Sequence, residues 1–357
     1  MNRFAKFLTP LCVLCLIVVG CAGSPAIVAP SKISTPSAYW PTENWRTSTP
    51  EEQGMDSQKL AQMLATIKEK KINLHSLLVI RHGYIVSETY FGTWEQGNRH
   101  NPQSVGRSWT ATLVGIAIDK GYIDGTAHRI LDYFPDRTFA NLDPQKQAMT
   151  LDDVLTMRSG LEGLVGDDRY AAMQASPDWI QFLLDRKMVA PPGTKWKYCA
   201  GCSHLLTVIL QKTTGMNPRD FAEEYLFKPL GISLIRWTTD PQGIPFGAGG
   251  FGLTPREMAK LGYLYLRKGQ WDGQQLVSAR WIERATQEYA KVDVDPHFGY
   301  GYHWFTISSM AGYAALGDGG QIILVIPGSD LIVVTTAETN ESLFELIDQY
   351  VLPSVRE

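Results

Sequence analysis

Ser104 and Arg107 stand three residues apart at the mouth of "NPQSVGRSWTATLVGIAIDKGYI", residues 101–123. Residues at that spacing share a helix face, so a hydroxyl is set beside a permanent cation. From Ser108 to Ile118 the run carries no charge and is apolar on nearly every side, which predicts a helix inside the protein. At the start of such a helix, free backbone N–H groups and the helix dipole favour developing negative charge. That environment suits a serine attacking a carbonyl. A serine in this place also serves as an ordinary helix cap, and the residues alone leave both roles open. A nucleophilic serine needs a group to accept its proton. Arginine cannot be that group, because its guanidinium stays protonated in proteins.

Other reactive side chains carry weaker signals. Cys199 and Cys202 form a C-x-x-C in "YCAGCSH". Haem attachment requires His directly after the second cysteine, but Ser203 intervenes. Zinc wants a second ligand pair, which no remaining cysteine supplies. A local disulfide or two packed thiols is the expectation. His82 in a turn and His204 in the first turn of a helix read as structural, and His297 and His303 near "FGYGY" lack ligand spacing. Asp167 and Asp168 read as a solvated pair. Trp196 walls a pocket or joins the core, and Trp237 is assigned to the core. No cofactor or metal is implied.

Several elements must position these groups. "MDSQKLAQMLATIKEKK" places Leu60, Met63, Leu64 and Ile67 at helical spacing, and "LHSLLVIRHGYIVSETYFG" predicts a hairpin about His82-Gly83. Residues 104–290 are mostly helical. Within them Thr254-Pro255-Arg256-Glu257 is a capping box, and Ser203 opens a helix that Gly215 stops. Strands return in "GYGYHWFTI", "GYAAL", "QIILVIP" and "DLIVVTTA", before a last helix "ESLFELIDQYVL" with Asn340 as its cap. The order predicts an α+β fold in which N- and C-terminal segments share one antiparallel sheet, flanked by helices, with a large helical insert.

The first residues address the compartment. Arg3 and Lys6 precede the apolar "FLTPLCVLCLIVVG", too short and too early for a spanning helix, and small residues flank Cys21. Residues 1–20 read as a bacterial lipoprotein signal, Cys21 as the lipidated first mature residue, and 21–44 as a tether to a domain at 45–357. The protein is therefore expected in the bacterial cell envelope, with the membrane as a partner through the lipid anchor only. With 33 basic and 36 acidic side chains, two of the basic ones in the leader, nothing suggests a nucleic-acid partner. An apolar content of 44% is ample for a large core.

"SVGRSWTATLVGIAIDKGYI" resembles the S-x-x-K helix of the class C β-lactamase-like serine hydrolases. These include penicillin-recognising proteins, certain esterases, D-aminopeptidases and 6-aminohexanoate-oligomer hydrolases. The resemblance continues through "TLDDVLTMRSGL", "PPGTKWKYCAGCSHLLTVILQKTTGM", "GGFGLTPREMAKLGYLYLRKGQWDGQQLVS" and "LGDGGQIILVIPGSDLIVVTTA", covering about residues 45–355 in order. It implies a β-lactamase/transpeptidase-like fold, with Ser104 as nucleophile, Arg107 at the lysine position and Tyr198 at the catalytic tyrosine. Ala200 replaces the asparagine of the tyrosine element, and Asp318-Gly319-Gly320 occupies the third element. Backbone N–H groups of Ser104 and Gln321 would form the oxyanion hole.

With lysine absent, Tyr198 acting as a phenolate beside the cation is the remaining proton acceptor. Arg107 and Asp318 also look complementary, which predicts an ion pair filling the cleft. The leading expectation is an envelope-anchored hydrolase of a small-molecule ester or amide, β-lactam-like or a small peptide or oligomer, acting through a Ser104 acyl-enzyme. Its rivals are a non-catalytic binding lipoprotein inactivated at position 107 and a protein that acylates without turnover.

Overall fold

The computed structural model describes residues 39–163, 167–233, 236–293 and 295–356. The expected signal, Cys21 and most of the tether lie outside the described residues, as do the side chains of Asp167 and Asp168.

Nine strands among the described residues form one sheet. In chain order they are β1 (Arg46–Thr47), β2 (Leu74–Arg81), β3 (Tyr84–Tyr90), β4 (Ala290–Val292), β5 (Asp295–Tyr300), β6 (Phe305–Ile307), β7 (Gly312–Gly317), β8 (Gln321–Ile326) and β9 (Leu331–Ala337). Their spatial order is β1-β3-β2-β9-β8-β7-β6-β5-β4. The N-terminal hairpin thus joins the C-terminal strands through β2 and β9, which pair antiparallel from Leu331–Arg81 to Ala337–Leu74. His82 and Gly83 both take positive φ, 51° and 81°, which the tight hairpin turn requires.

Alternation along the central strands explains the two cores. Leu77 and Val79 of β2 face one side with Leu324 and Val333, where Met63 and Ile67 of the helix Ser57–Glu69 and Ile347 and Val351 near the C-terminus cover them. Leu78 and Ile80 face the other side with Ile323 and Val334, under Leu261 and Leu264 of the helix Pro255–Leu266. That helix starts on the Thr254–Glu257 capping box. Lys260 on it donates to the carbonyls of Thr42, Leu230 and Gly231, which fastens the N-terminal lead-in to the domain.

Two expectations are corrected. The run "GYGYHWFTI" is two strands, because His303 at φ 57° and the Gly301 N–H donating to Trp304 O turn the chain between β5 and β6. The N-cap position of the last helix is Ser342, not Asn340, with no side-chain capping bond; the helix runs Leu343–Leu346 and widens to a π turn over Ile347–Val351.

The charge-free helix is Gly106–Asp119, with every residue from Gly106 to Ala117 buried. Its entry is pinned by close backbone approach. A Cβ on Gly106 would lie 2.4 Å from Gly249 Cα, and one on Gly317 would lie 2.4 Å from Pro102 O. The first contact presses the 246–250 loop onto the helix start, and the second brings the end of β7 onto the same turn. Gly106→Ala is expected to cost about 1–3 kcal/mol in urea unfolding, since backbone must move. Gly97→Ala, with nothing within 4 Å of the added methyl, should stay within about 0.5 kcal/mol.

Candidate active site

Ser104 sits in the 3₁₀ turn Gln103–Val105 that runs into the buried helix. Gln103 holds a left-handed φ of 51°, a conformation costing about 1 kcal/mol for a residue with a side chain. Asn101 Oδ1 accepts from Gln103 N, and His100 and Leu253 exchange both backbone hydrogen bonds just upstream. Trp237, in the core as expected, donates Nε1–H to Phe246 O and Gly249 O and so holds the loop packed against this turn. The turn is over-determined on every side.

Ser104 is not the helix cap; that position belongs to Val105. Its hydroxyl instead shares a 2.8 Å hydrogen bond with Tyr198 Oη. Tyr198 lies on the strap before Cys199. Lys197 N donates to Met157 O, Cys199 N donates to Met157 Sδ, and a Cys199–Cys202 disulfide ties the strap to the helix Cys202–Thr214. The disulfide stands where an asparagine of the tyrosine element is absent, on either side of Ala200.

Arg107 is 4% exposed. Its guanidinium lies over the Tyr198 ring, 4.6 Å from the centroid, and Nη1 reaches Ser104 O at a long 3.5 Å. Nε has no partner. The predicted ion pair with Asp318 does not form: among the described residues, none of the ion pairs includes Arg107 or Asp318. The ring face and the Ser104 carbonyl hold the cation at the helix start, while Asp318 stays on the cleft wall.

Neutral groups back this pair. Burial pushes the phenols of Tyr170 and Tyr300 up, against the opposing pull of Arg107, so both remain protonated. Burial first, and Arg107 second, drive the His303 imidazole down to about 3. His303 Nε2 meets Ser203 Oγ at 3.2 Å, Nδ1 meets Tyr300 Oη at 3.4 Å, and its carbonyl accepts from Ser108 Oγ. It braces the site from behind. His204, read from sequence as structural, forms a fully buried pair with Asp240 at 2.9 Å. His82 bonds Gln53 in its turn, and His297 is exposed.

A cleft of about 1160 Å³ opens onto Ser104, Arg107, Tyr198 and Asp318 together. Gly319 and Gly320 follow Asp318 in the turn, and Gln321 opens β8. The Gln321 side chain is tied to Ala337 O and Asp318 O. Trp196 lines the cleft as a wall, edge-on to Tyr300. Tyr170, Trp179, Phe246 and Phe305 were not foreseen as walls. They come from segments far apart in sequence, with no motif linking them. The arrangement can present a serine hydroxyl, hydrogen-bonded to a phenol and flanked by a fixed positive charge, to a mostly apolar ligand.

A family model described as Beta-lactamase matches residues 52–352. The chain is 24% identical over 280 residues to the 6-aminohexanoate-dimer hydrolase of Paenarthrobacter ureafaciens, covering 72% of this chain and 71% of that protein. Among solved structures it is similar to EstCE1, a hydrolase with promiscuous acyltransferase activity, with a TM-score of 0.70 at 15% identity, covering 84% of this chain and 99% of that one. The octameric penicillin-binding protein homologue from Pyrococcus abyssi is similar with a TM-score of 0.66 at 18% identity, covering 84% and 78% of the two chains. At these identities the structural likenesses speak to fold.

Two outcomes follow from the bracing. The unfolded chain takes up a proton near pH 6.5 that His303 in the folded protein refuses until about pH 3. Because the folded value is depressed, stability falls as pH falls through that window, at about 1.4 kcal/mol per unit for this group. His303→Gln should remove one proton's worth of slope from urea unfolding measured across that range. Cys199→Ser/Cys202→Ser should lower stability by about 2 kcal/mol in the same assay, as a short closed loop is released.

Proposed function

Since the chain belongs to the beta-lactamase family, hydrolases acting on esters and amides, we propose that it is itself a serine hydrolase working through a Ser104 acyl-enzyme. The observation that carries this reading is the 2.8 Å contact between Ser104 Oγ and Tyr198 Oη at the floor of the cleft.

The reaction runs as follows. Tyr198, as phenolate, takes the Ser104 proton while Oγ bonds to the substrate carbonyl carbon. The carbonyl oxygen becomes an oxyanion held by the backbone N–H groups of Ser104 and Gln321. Collapse expels the leaving group, which takes the proton back from Tyr198. Water then attacks the acyl-enzyme and gives a proton to Tyr198, which passes it to Ser104 Oγ as the ester bond breaks, freeing the acid and restoring the phenolate. The Arg107 guanidinium, over the Tyr198 ring, stabilises the phenolate electrostatically. Arg107 supplies charge and no proton transfer.

The substrate is a small ester or amide with an apolar body, matching the aromatic walls. We place the protein in the bacterial envelope, anchored by lipid at Cys21; the Cys199–Cys202 disulfide supports an oxidising compartment. The guanidinium's distance from any proton-accepting role favours one alternative, a protein that binds or is acylated without turnover.

Hydrolysis of p-nitrophenyl butyrate tests the reading. Ser104→Ala should abolish turnover, and Tyr198→Phe should lower kcat by about 10²-fold or more. Arg107→Lys should raise kcat, because an amine restores a titratable proton acceptor. Full hydrolysis by Tyr198→Phe, with Ser104 still required, overturns the mechanism. A stable acyl adduct without turnover establishes the alternative.

A further inference from the structure

The fully buried pair of His204 and Asp240 stands behind the cleft, not in it, and joins the segments that carry one of its walls. His204 Nε2 meets Asp240 Oδ2 at 2.9 Å, and Nδ1 lies 3.2 Å from Thr207 Oγ1, so both ring nitrogens are engaged and the plane of the imidazole is fixed. The second carboxylate oxygen, Oδ1, accepts from Gln242 N and Ile244 N. That tightens the turn leading to Phe246, whose own N–H donates to Thr238 O. From the same turn Gln242 Nε2 donates to Pro177 O, just before Trp179. Asp240 thus fastens the Phe246 loop and the Trp179 segment to the helix that bears His204.

The two rings close around the imidazole. Trp179 stands edge-on to His204 with centroids 5.2 Å apart and edge-on to Phe246 at 5.6 Å, while Phe246 lies 5.9 Å from His204. Both Trp179 and Phe246 line the cleft, and His204 is the buried ring that backs them. Its helix, Cys202–Thr214, begins at the cysteine that ties down the Tyr198 strap, so this wall and Tyr198 share one support. An apolar side chain would fill the same space without the cost of burying a polar pair; what the pair adds is a ring held in one place. We infer that His204, locked by Asp240, is a positioning residue that sets the depth of the cleft at Trp179 and Phe246, and with it the length of apolar chain a substrate can carry. The inference deepens the hydrolase reading and rests on it for the ligand being an ester, though binding itself needs no turnover.

The test is calorimetric titration of the intact Ser104→Ala protein with two ester series. One, p-nitrophenyl acetate, butyrate and hexanoate, lengthens the acyl side; the other, methyl, butyl and hexyl 4-nitrobenzoate, lengthens the alcohol side. Adding His204→Ala/Asp240→Asn removes the backing ring without leaving a lone buried carboxylate. In the series whose chain meets this wall, that change should raise the affinity ratio of longest to shortest member by about fourfold or more, the worth of one further buried methylene. The shortest member should change by less than about twofold. His204→Gln, which keeps a donor for Asp240 and nearly the same volume, should keep the parent ratio. His204→Asn, shorter but still a donor, should shift the ratio in the same direction by less.

A ratio unmoved in both series by the alanine variant overturns the inference. So does an equal gain or loss for short and long members, which is what a merely structural pair would give, or a glutamine variant that shifts as far as alanine. If the alanine variant does not fold, an unmoved ratio in the His204→Asn protein overturns it instead. Because Ser104→Ala cannot turn over, these outcomes are independent of the hydrolysis assays. Hydrolysis with a fixed length ratio defeats only this inference, and a length shift in a protein that hydrolyses nothing with Ser104 restored defeats only the hydrolase reading.

Discussion

A guanidinium keeps its proton at any pH at which the protein is folded, and Arg107 places that fixed charge directly beneath the Ser104–Tyr198 pair. Much of the surrounding structure can be read as accommodation of it. The aromatic face of Tyr198 takes one side of the cation and a backbone carbonyl takes an edge. Tyr170, Tyr300 and His303 stay neutral nearby. The same charge that removes residue 107 as a proton acceptor also gives the site a polarity that a neutral amine would lack. Loss of one chemical role and gain of another are two sides of a single substitution.

Such a charge is useful only if the groups around it hold still, and the fold secures them from both halves. Ser104 and Arg107 come from the start of a helix buried in the large core, while Asp318 comes from the end of β7. The two halves meet where Gly317 lies against Pro102, while Gly249 of the 246–250 loop lies against Gly106 on the same turn, contacts that leave no room for a side chain. Tyr198 is held separately, by Met157 and by the disulfide. The nucleophile and its partner therefore sit on different supports and meet through one hydrogen bond.

The chemistry-bearing helix, the hairpin and the capping box at Thr254 were legible because each is local: apolar spacing, a turn dipeptide and a four-residue pattern define them. Ser104, Arg107 and Tyr198 were legible as a set through the family pattern, and they do converge on one cleft. What failed was reasoning from charge alone. Arg107 and Asp318 looked complementary, but the position of a guanidinium on a buried helix is decided by the ring it can stack on. The His204–Asp240 pair joins residues far apart along the chain, and no spacing announces it. The aromatic walls were invisible for the same reason. Asn340 and Ser342 are both cap-type residues, and which one falls at the helix start depends on where the end of the chain docks against β2 and its neighbours.

The sheet's order has one more implication. Its long, wholly buried strands, β2, β8 and β9, are interior, whereas the borders are β1, with two residues, and β4, with three. Arg46 and Lys291 add cations to those borders. Open N–H and C=O groups along a border are what recruits a strand from another molecule, and here neither border is long enough to template one. Resistance to edge-on clumping is thus written into which strands lie outermost, and it does not depend on the chain's overall charge.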